Sequence, residues 1–143
     1  MIYDDVNIKI ISRREWGLKA DPTEYDYDTL TIRIREDYYS QMKKNDPLTH
    51  HWFVHEFAHH IQLKSMGIGY IKEDTGLYPN NKVERYAFAY QFYYLMEKKC
   101  CQTIQELFDR DRFFRQKRIY AGQLTYYWNN ANYILGEMRE KLV

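Results

Sequence analysis

The sequence predicts an α+β fold: a small, mostly antiparallel N-terminal sheet, then a histidine-rich helix, a glutamate-headed helix and further C-terminal helices. Three observations carry this. Apolar residues alternate singly in two stretches of the first third, and from Asp46 to the end they recur at three- and four-residue intervals. Pro and Gly mark the change of period without dividing the chain in two.

The elements follow in order. Val6, Ile8 and Ile10 alternate with Asn7 and Lys9, and Leu30, Ile32 and Ile34 alternate with Thr31, Arg33 and Arg35. A two-residue period suits strands with one face on a core and the other in water. Gly17, Pro22 and several Asp between them predict loop or turn. Asp46-Pro47 opens the first long helix, because Asp accepts from the free N–H groups of a first turn and Pro suits the first helical position. That helix is expected to run to about Ser65, where Gly67 and Gly69 offer a stop. Residues 67–80 read as irregular. A second helix is expected from near Asn81 through Lys99, and its middle (Tyr86 to Phe88, Phe92, Leu95) is apolar on nearly every face, which makes it central. Thr103 and Glu106 have capping-box spacing and start another helix. From Leu124 to Leu142 the apolar spacing predicts a terminal amphipathic helix.

At 143 residues the chain is expected to form one domain, 1–143, able to bury roughly 68–70% of the surface it exposes unfolded. A hydrophobic content of 45% and a charged content of 29% exclude a disordered chain. The formal net charge of +1 supplies no overall field for nucleic acid or an anionic membrane. No run approaches the ~20 apolar residues of a membrane span. Met1-Ile-Tyr-Asp-Asp5 lacks the basic-then-apolar opening of a secretory leader. Cys100 and Cys101 are adjacent, cannot link distant segments, and read as buried or idle rather than as ligands. The expectation is a reduced, cytoplasmic protein with no membrane partner.

All five histidines (His50, His51, His55, His59 and His60) fall within eleven consecutive residues. Among them His55-Glu56-Phe57-Ala58-His59 is an H-E-x-x-H motif inside the first predicted helix. Positions i and i+4 stack one turn apart, so two imidazoles can reach one metal ion. Glu56 sits about 100° round the helix from His55, poorly placed as a ligand but well placed as a base beside a metal-bound water. Zinc with three protein ligands keeps a fourth position for that water and lowers its pKa to about 7. The carboxylate then takes the proton as the water attacks a carbonyl, and delivers it to the leaving amine. The competing reading is a helix whose histidines lie at its surface or satisfy core hydrogen bonds.

A third ligand must come from elsewhere. No Gly-x-x-His follows the motif, so the extended three-histidine pattern is absent and a carboxylate is the natural candidate. Glu84 heads the second helix on the face it shares with Ala87 and Phe88; its alternative role is a favourable partner of the helix N-terminus. Glu73 and Asp74 are rivals, although their Gly-flanked loop suggests solvated side chains. Metal affinity is expected to fall as the histidines protonate near about 6.5.

His55-Glu-Phe-Ala-His59-His60, followed after a loop by Glu84-x-x-Ala87-x-x-Tyr90, resembles the gluzincin pattern of small metallopeptidases. It is similar to the ImmA/IrrE-like proteases and the minigluzincins over residues 28–96. The resemblance implies a zinc-dependent hydrolase of peptide bonds, with peptide or protein as substrate. It implies Zn2+ held by His55, His59 and Glu84, with Glu56 as the base. It also implies that residues 29–35 form an edge strand pairing with extended substrate, and that the cleft can be obstructed in a latent state. The rival class is a non-catalytic metal-binding or regulatory protein that keeps the fold; a closed four-ligand site would favour it. A third reading is a nucleic-acid-associated protease with the basic segment after residue 109 as its anchor, which steep salt dependence of DNA retention would support.

Other residues carry weaker signals. His51 lies one turn before His55 and reads as solvated or near the helix cap, while His60 reads as a structural hydrogen-bonding residue. An oxyanion-stabilising donor would have to be a tyrosine such as Tyr120, Tyr126 or Tyr127, because no histidine follows His60. Arg110, Arg112, Arg115, Lys117 and Arg118 surround Phe113 and Phe114, a composition that can bind nucleic acid. Asp109 and Asp111 dilute the charge, so a solvated face with two core anchors is the expected role and nucleic acid is not an expected partner.

Overall fold

Asn7–Ile11 (β1), Thr23–Asp26 (β2) and Thr31–Arg35 (β3) form a three-stranded sheet in the order β1-β3-β2 in the computed structural model, which describes residues 5–141. The expected reach of the last helix to Leu142 lies outside the described residues. β3 pairs parallel with β1 and antiparallel with β2, so this small N-terminal sheet is mixed. Ile32 and Ile34 turn to the core as their alternation requires, and Arg33 points the other way.

The segment expected to be loop contains a short helix, Arg13–Trp16 (α1), and all of β2. β2 reads Thr-Glu-Tyr-Asp, with no apolar alternation to betray it. It pairs with β3 as a hairpin: Arg33 bonds Glu24 at 3.1 Å and Asp26 at 2.8 Å across the two strands, which offsets the charge that made the segment look like loop. The turn back to β3 is closed by Asp26, whose Oδ1 accepts from the Asp28 and Thr29 amides. β3 is consequently the central strand. The expectation that residues 29–35 offer a free edge is corrected, since both sides of β3 are already paired; β2 and β1 are the edges.

Glu36–Gln41 (α2) follows β3, and Asp46 then caps a 3-10 turn over Pro47–Thr49 by accepting from the Leu48 amide at 3.1 Å. That turn leads into His51–Lys72 (α3). At Gly67, with φ 85° and ψ 163°, the helix is broken where glycine was expected to stop it, but helical turns resume as far as Lys72. Lys82–Glu97 (α4) is the central element: Val83, Tyr86 to Ala89, Gln91, Phe92 and Leu95 are buried.

Ile104–Arg110 (α5) starts at Thr103, whose hydroxyl accepts from the Glu106 amide. Arg112–Arg115 (α6) and a 3-10 turn over Gln116–Tyr120 lead to Ala121–Asn129 (α7) and Ala131–Lys141 (α8). The single terminal helix expected from the spacing is thus two, parted at Asn130, whose side-chain amide donates to the Tyr126 carbonyl. Phe88, Phe92 and Leu95 of α4 belong to one core with Phe108, Phe114, Leu124, Tyr127 and Trp128. Burying each such side chain contributes on the order of 1.5–3 kcal/mol. No helix among the described residues is long and apolar enough to cross a membrane.

Candidate metal centre

Helical geometry does the first half of the assembly. One turn of α3 brings the His55 and His59 rings to a centroid separation of 5.0 Å. Packing of α4 on α3 does the second half by bringing Glu84, in the first turn of α4, to the same place. His55 Nε2 lies 3.0 Å from Glu84 Oε1, and His59 Nε2 lies 3.0 Å from Glu84 Oε2. One ligand atom from each residue falls within 4.8 Å of the others, so the group can hold a metal ion.

The far nitrogen of each imidazole is also engaged. His55 Nδ1 faces Gln91 Oε1 at 2.8 Å, and His59 Nδ1 faces Gln62 Oε1 at 3.2 Å. The Gln62 amide donates to the Val83 carbonyl, which fixes which of its ends faces His59. An Nδ1–H donated to a carbonyl leaves the Nε2 lone pair for a metal. The Tyr27 hydroxyl lies 3.1 Å from His59 Nδ1.

Glu56 is buried beside this group, and the Thr23 hydroxyl on β2 donates to its Oε2 at 2.7 Å. Thr23 is aimed there because it shares the sheet face of its partner Ile34, which packs inward. Burial pushes the Glu56 carboxyl upward, against the pull of both imidazoles and the Thr23 bond. Burial would also raise Glu84, but the two facing imidazoles hold it well below the usual carboxylate range. For His59 burial opposes the charged form, yet the charge and hydrogen bond of Glu84 outweigh it and lift the imidazole to about 9. Thr23, Tyr27, His55, Glu56, His59, Tyr78 and Glu84 all line one cavity of about 210 Å³.

No protein-family model matches the chain, and comparisons with curated proteins and with solved structures return no match. The site therefore rests on its own geometry.

The rivals for the third ligand lie elsewhere. Asp74 caps α4, accepting from the Val83 amide at 2.9 Å and the Lys82 amide at 3.3 Å, and Glu73 is exposed. His60 is a structural residue between the Tyr25 hydroxyl and Asp5. His51, expected to be solvated or near the helix cap, is the first residue of α3 but not solvated: it is 0% exposed and bonded to Gln91 and Asp111. Of the tyrosines named from sequence, Tyr127 is buried on the Pro79 carbonyl and Tyr120 packs edge-on against Tyr78. Tyr25, Tyr27 and Tyr78 are the tyrosines that share the cavity with His55, His59, Glu84 and Glu56.

The basic run is spent internally. Arg110 donates to the Cys100 carbonyl, Arg115 to the Phe108 and Asp109 carbonyls, and Arg118 to Asp109. Lys117 pairs with Asp21, Arg112 with Asp37, and Phe113 and Phe114 are buried.

Sequence reasoning passed over Thr23, Tyr27, Gln62, Gln91 and Asp111. Two of these left a signal. Gln91 is an amide in the apolar middle of α4, two turns from Glu84 on the same face, and Gln62 lies one turn beyond His59. Thr23 and Asp111 reach the site by tertiary packing alone.

Proposed function

We propose that this protein is a zinc-dependent peptidase of gluzincin type, with Zn2+ held by His55, His59 and Glu84 and Glu56 as the catalytic base. The observation that carries this reading is the convergence of two imidazoles and one carboxylate, with a second, separate carboxylate opening into the same cavity. Two nitrogens and an oxygen are a donor set that zinc accepts, and three protein ligands are the number used where chemistry occurs. When bound, the ion would polarise a carbonyl and make water acidic enough to lose a proton near neutral pH.

Glu56 accepts that proton and returns it to the leaving amine, and its enclosure favours the protonated state needed for the second step. The Thr23 hydroxyl fixes the orientation of the carboxylate. Tyr78 and Tyr27 supply phenol groups at the cavity wall, where one can donate to the oxygen that gains charge. Thr23, Glu24 and Tyr25 of β2 also line the cavity, and β2 is an edge strand. An extended peptide adding to that edge would lie beside Glu56.

The test compares wild type with Glu56→Gln and Glu84→Ala. Wild type should retain one zinc per chain after dialysis and cleave peptides from a fluorogenic library. Glu56→Gln should keep the zinc and lose at least about 100-fold in turnover. Glu84→Ala should lose the zinc. Stoichiometric zinc with no cleavage in wild type would favour the non-catalytic reading, and undiminished cleavage by Glu56→Gln would remove Glu56 from the mechanism.

A further inference from the structure

We infer that Asp111, His51 and Gln91 are positioning residues that set the tautomer and aim of His55 through one buried line of hydrogen bonds. This rests on the reading of His55, His59 and Glu84 as a metal centre, and it assigns the C-terminal third of the chain a part in that centre.

The line can be followed from its end. Asp111 Oδ1 accepts from the Phe113 and Phe114 amides at 2.9 and 3.1 Å as the N-cap of α6, and its Oδ2 meets His51 Nε2. An ionised carboxylate only accepts, so His51 carries its proton on Nε2 and its Nδ1 must accept. Gln91 Nε2 donates to that Nδ1 at 2.7 Å. The Gln91 amide is thereby oriented, and its Oε1 faces His55 Nδ1 at 2.8 Å. His55 donates there, and its Nε2, the nitrogen a metal would take, faces Glu84 Oε1 at 3.0 Å. Because Asp111 only accepts, His51 and Gln91 take the one arrangement that asks His55 for a proton on Nδ1.

His51 and Gln91 are both 0% exposed, so water does not compete for these bonds. Trp52 and Phe114 pack against the His51 ring. His59 is treated differently, because its glutamine ends on a neutral backbone carbonyl one helix away. Of the two, His55 is tied, through Gln91 and His51, to a carboxylate more than fifty residues distant in sequence.

Asp111→Asn separates positioning from mere support. Asn keeps its oxygen for the cap, so α6 should still form. Its amide would then donate to His51 Nε2, forcing the His51 proton to Nδ1, turning Gln91 over, and placing the His55 proton on Nε2, the nitrogen a metal needs. Zinc affinity, read by chelator competition, should fall about 10–100-fold. Long-range 15N NMR of the metal-free protein should show a proton on His55 Nδ1 in wild type and none there in Asp111→Asn. The double variant Asp111→Asn/Gln91→Glu restores an acceptor to His55, with His51 donating to the same carboxylate. It should recover zinc affinity to within about threefold, a rescue that loss of packing would not give.

A His55 Nδ1 without a proton in wild type would overturn the inference without any variant, as would an Asp111→Asn protein that binds zinc as wild type does. If wild type binds no zinc, the metal-centre reading fails, while the NMR arm still decides the direction of the line.

Discussion

Enclosure disfavours a charged imidazole at His59, and the Glu84 carboxylate more than reverses this, so the group titrates at about 9. The sign of the consequence follows from the direction of the shift. A histidine raised above its unfolded value of about 6.5 contributes stability that is fully present below that pH and is lost as pH rises through about 9. Zinc needs the neutral ring, so uptake at pH 7 must expel the proton. Calorimetry in buffers of different ionisation enthalpy should therefore show about one proton released per zinc. Affinity should keep rising towards pH 9 rather than level off above the reference value expected from sequence; release near zero would exclude the His59–Glu84 coupling. Glu56 is the opposite case. Its raised carboxyl costs the fold nothing at low pH and increasingly more as pH climbs past its ordinary value of 4.5. Glu56→Gln should accordingly raise unfolding stability at pH 7 by roughly 0.5–2 kcal/mol while removing turnover, the pattern of a site that trades stability for chemistry. A denaturant midpoint at or below wild type would contradict this.

The helices that carry the site were legible because their signals are local. H-E-x-x-H needs only the pitch of α3, and the apolar middle of α4 announces a central helix from sequence alone. What escaped depends on side-chain contacts between one element and the next rather than on period. β2 could not be told from loop, because its Glu24 and Asp26 become acceptable only when Arg33 of β3 lies between them. Asp74 looked solvated because nothing in the loop sequence says that it will fold back onto the head of α4. There its carboxylate takes the Lys82 and Val83 amides, whereas Asn81, the residue at the cap position, makes no such side-chain bond. Those amides open the turn that carries Glu84. Asp74→Ala should thus cost about 1 kcal/mol in urea unfolding and weaken zinc binding through a loosened first turn, although residue 74 is no ligand. Unchanged stability would show that the cap contributes nothing, and unchanged zinc affinity would show that α4 is held by packing alone.

The α+β class could be read from one change of period, yet the sequence holds no hint that α6 reaches α3. Asp111 lies in a basic run that invited a different reading, and only the packing of Phe113 and Phe114 into the core turns its carboxylate inward. The candidate ligands sit at the junction of the two halves of this architecture. α3 packs on the sheet through β2 and β3, and α4 packs on α7 and α8, so an ion shared by His55, His59 and Glu84 links the sheet-bearing helix to the helical remainder. Such an ion binds the folded chain alone, since the unfolded chain holds residue 84 and the histidine pair apart. Zinc at about a hundred times its dissociation constant should then stabilise the fold by about 2.7 kcal/mol and raise Tm by roughly 10 °C for a chain of this length. A chelator should reverse the rise, and Glu84→Ala should abolish it while keeping cooperative unfolding. A shift of equal size in Glu84→Ala would place the stabilising ion elsewhere, and the bridge between the two halves would then be packing only.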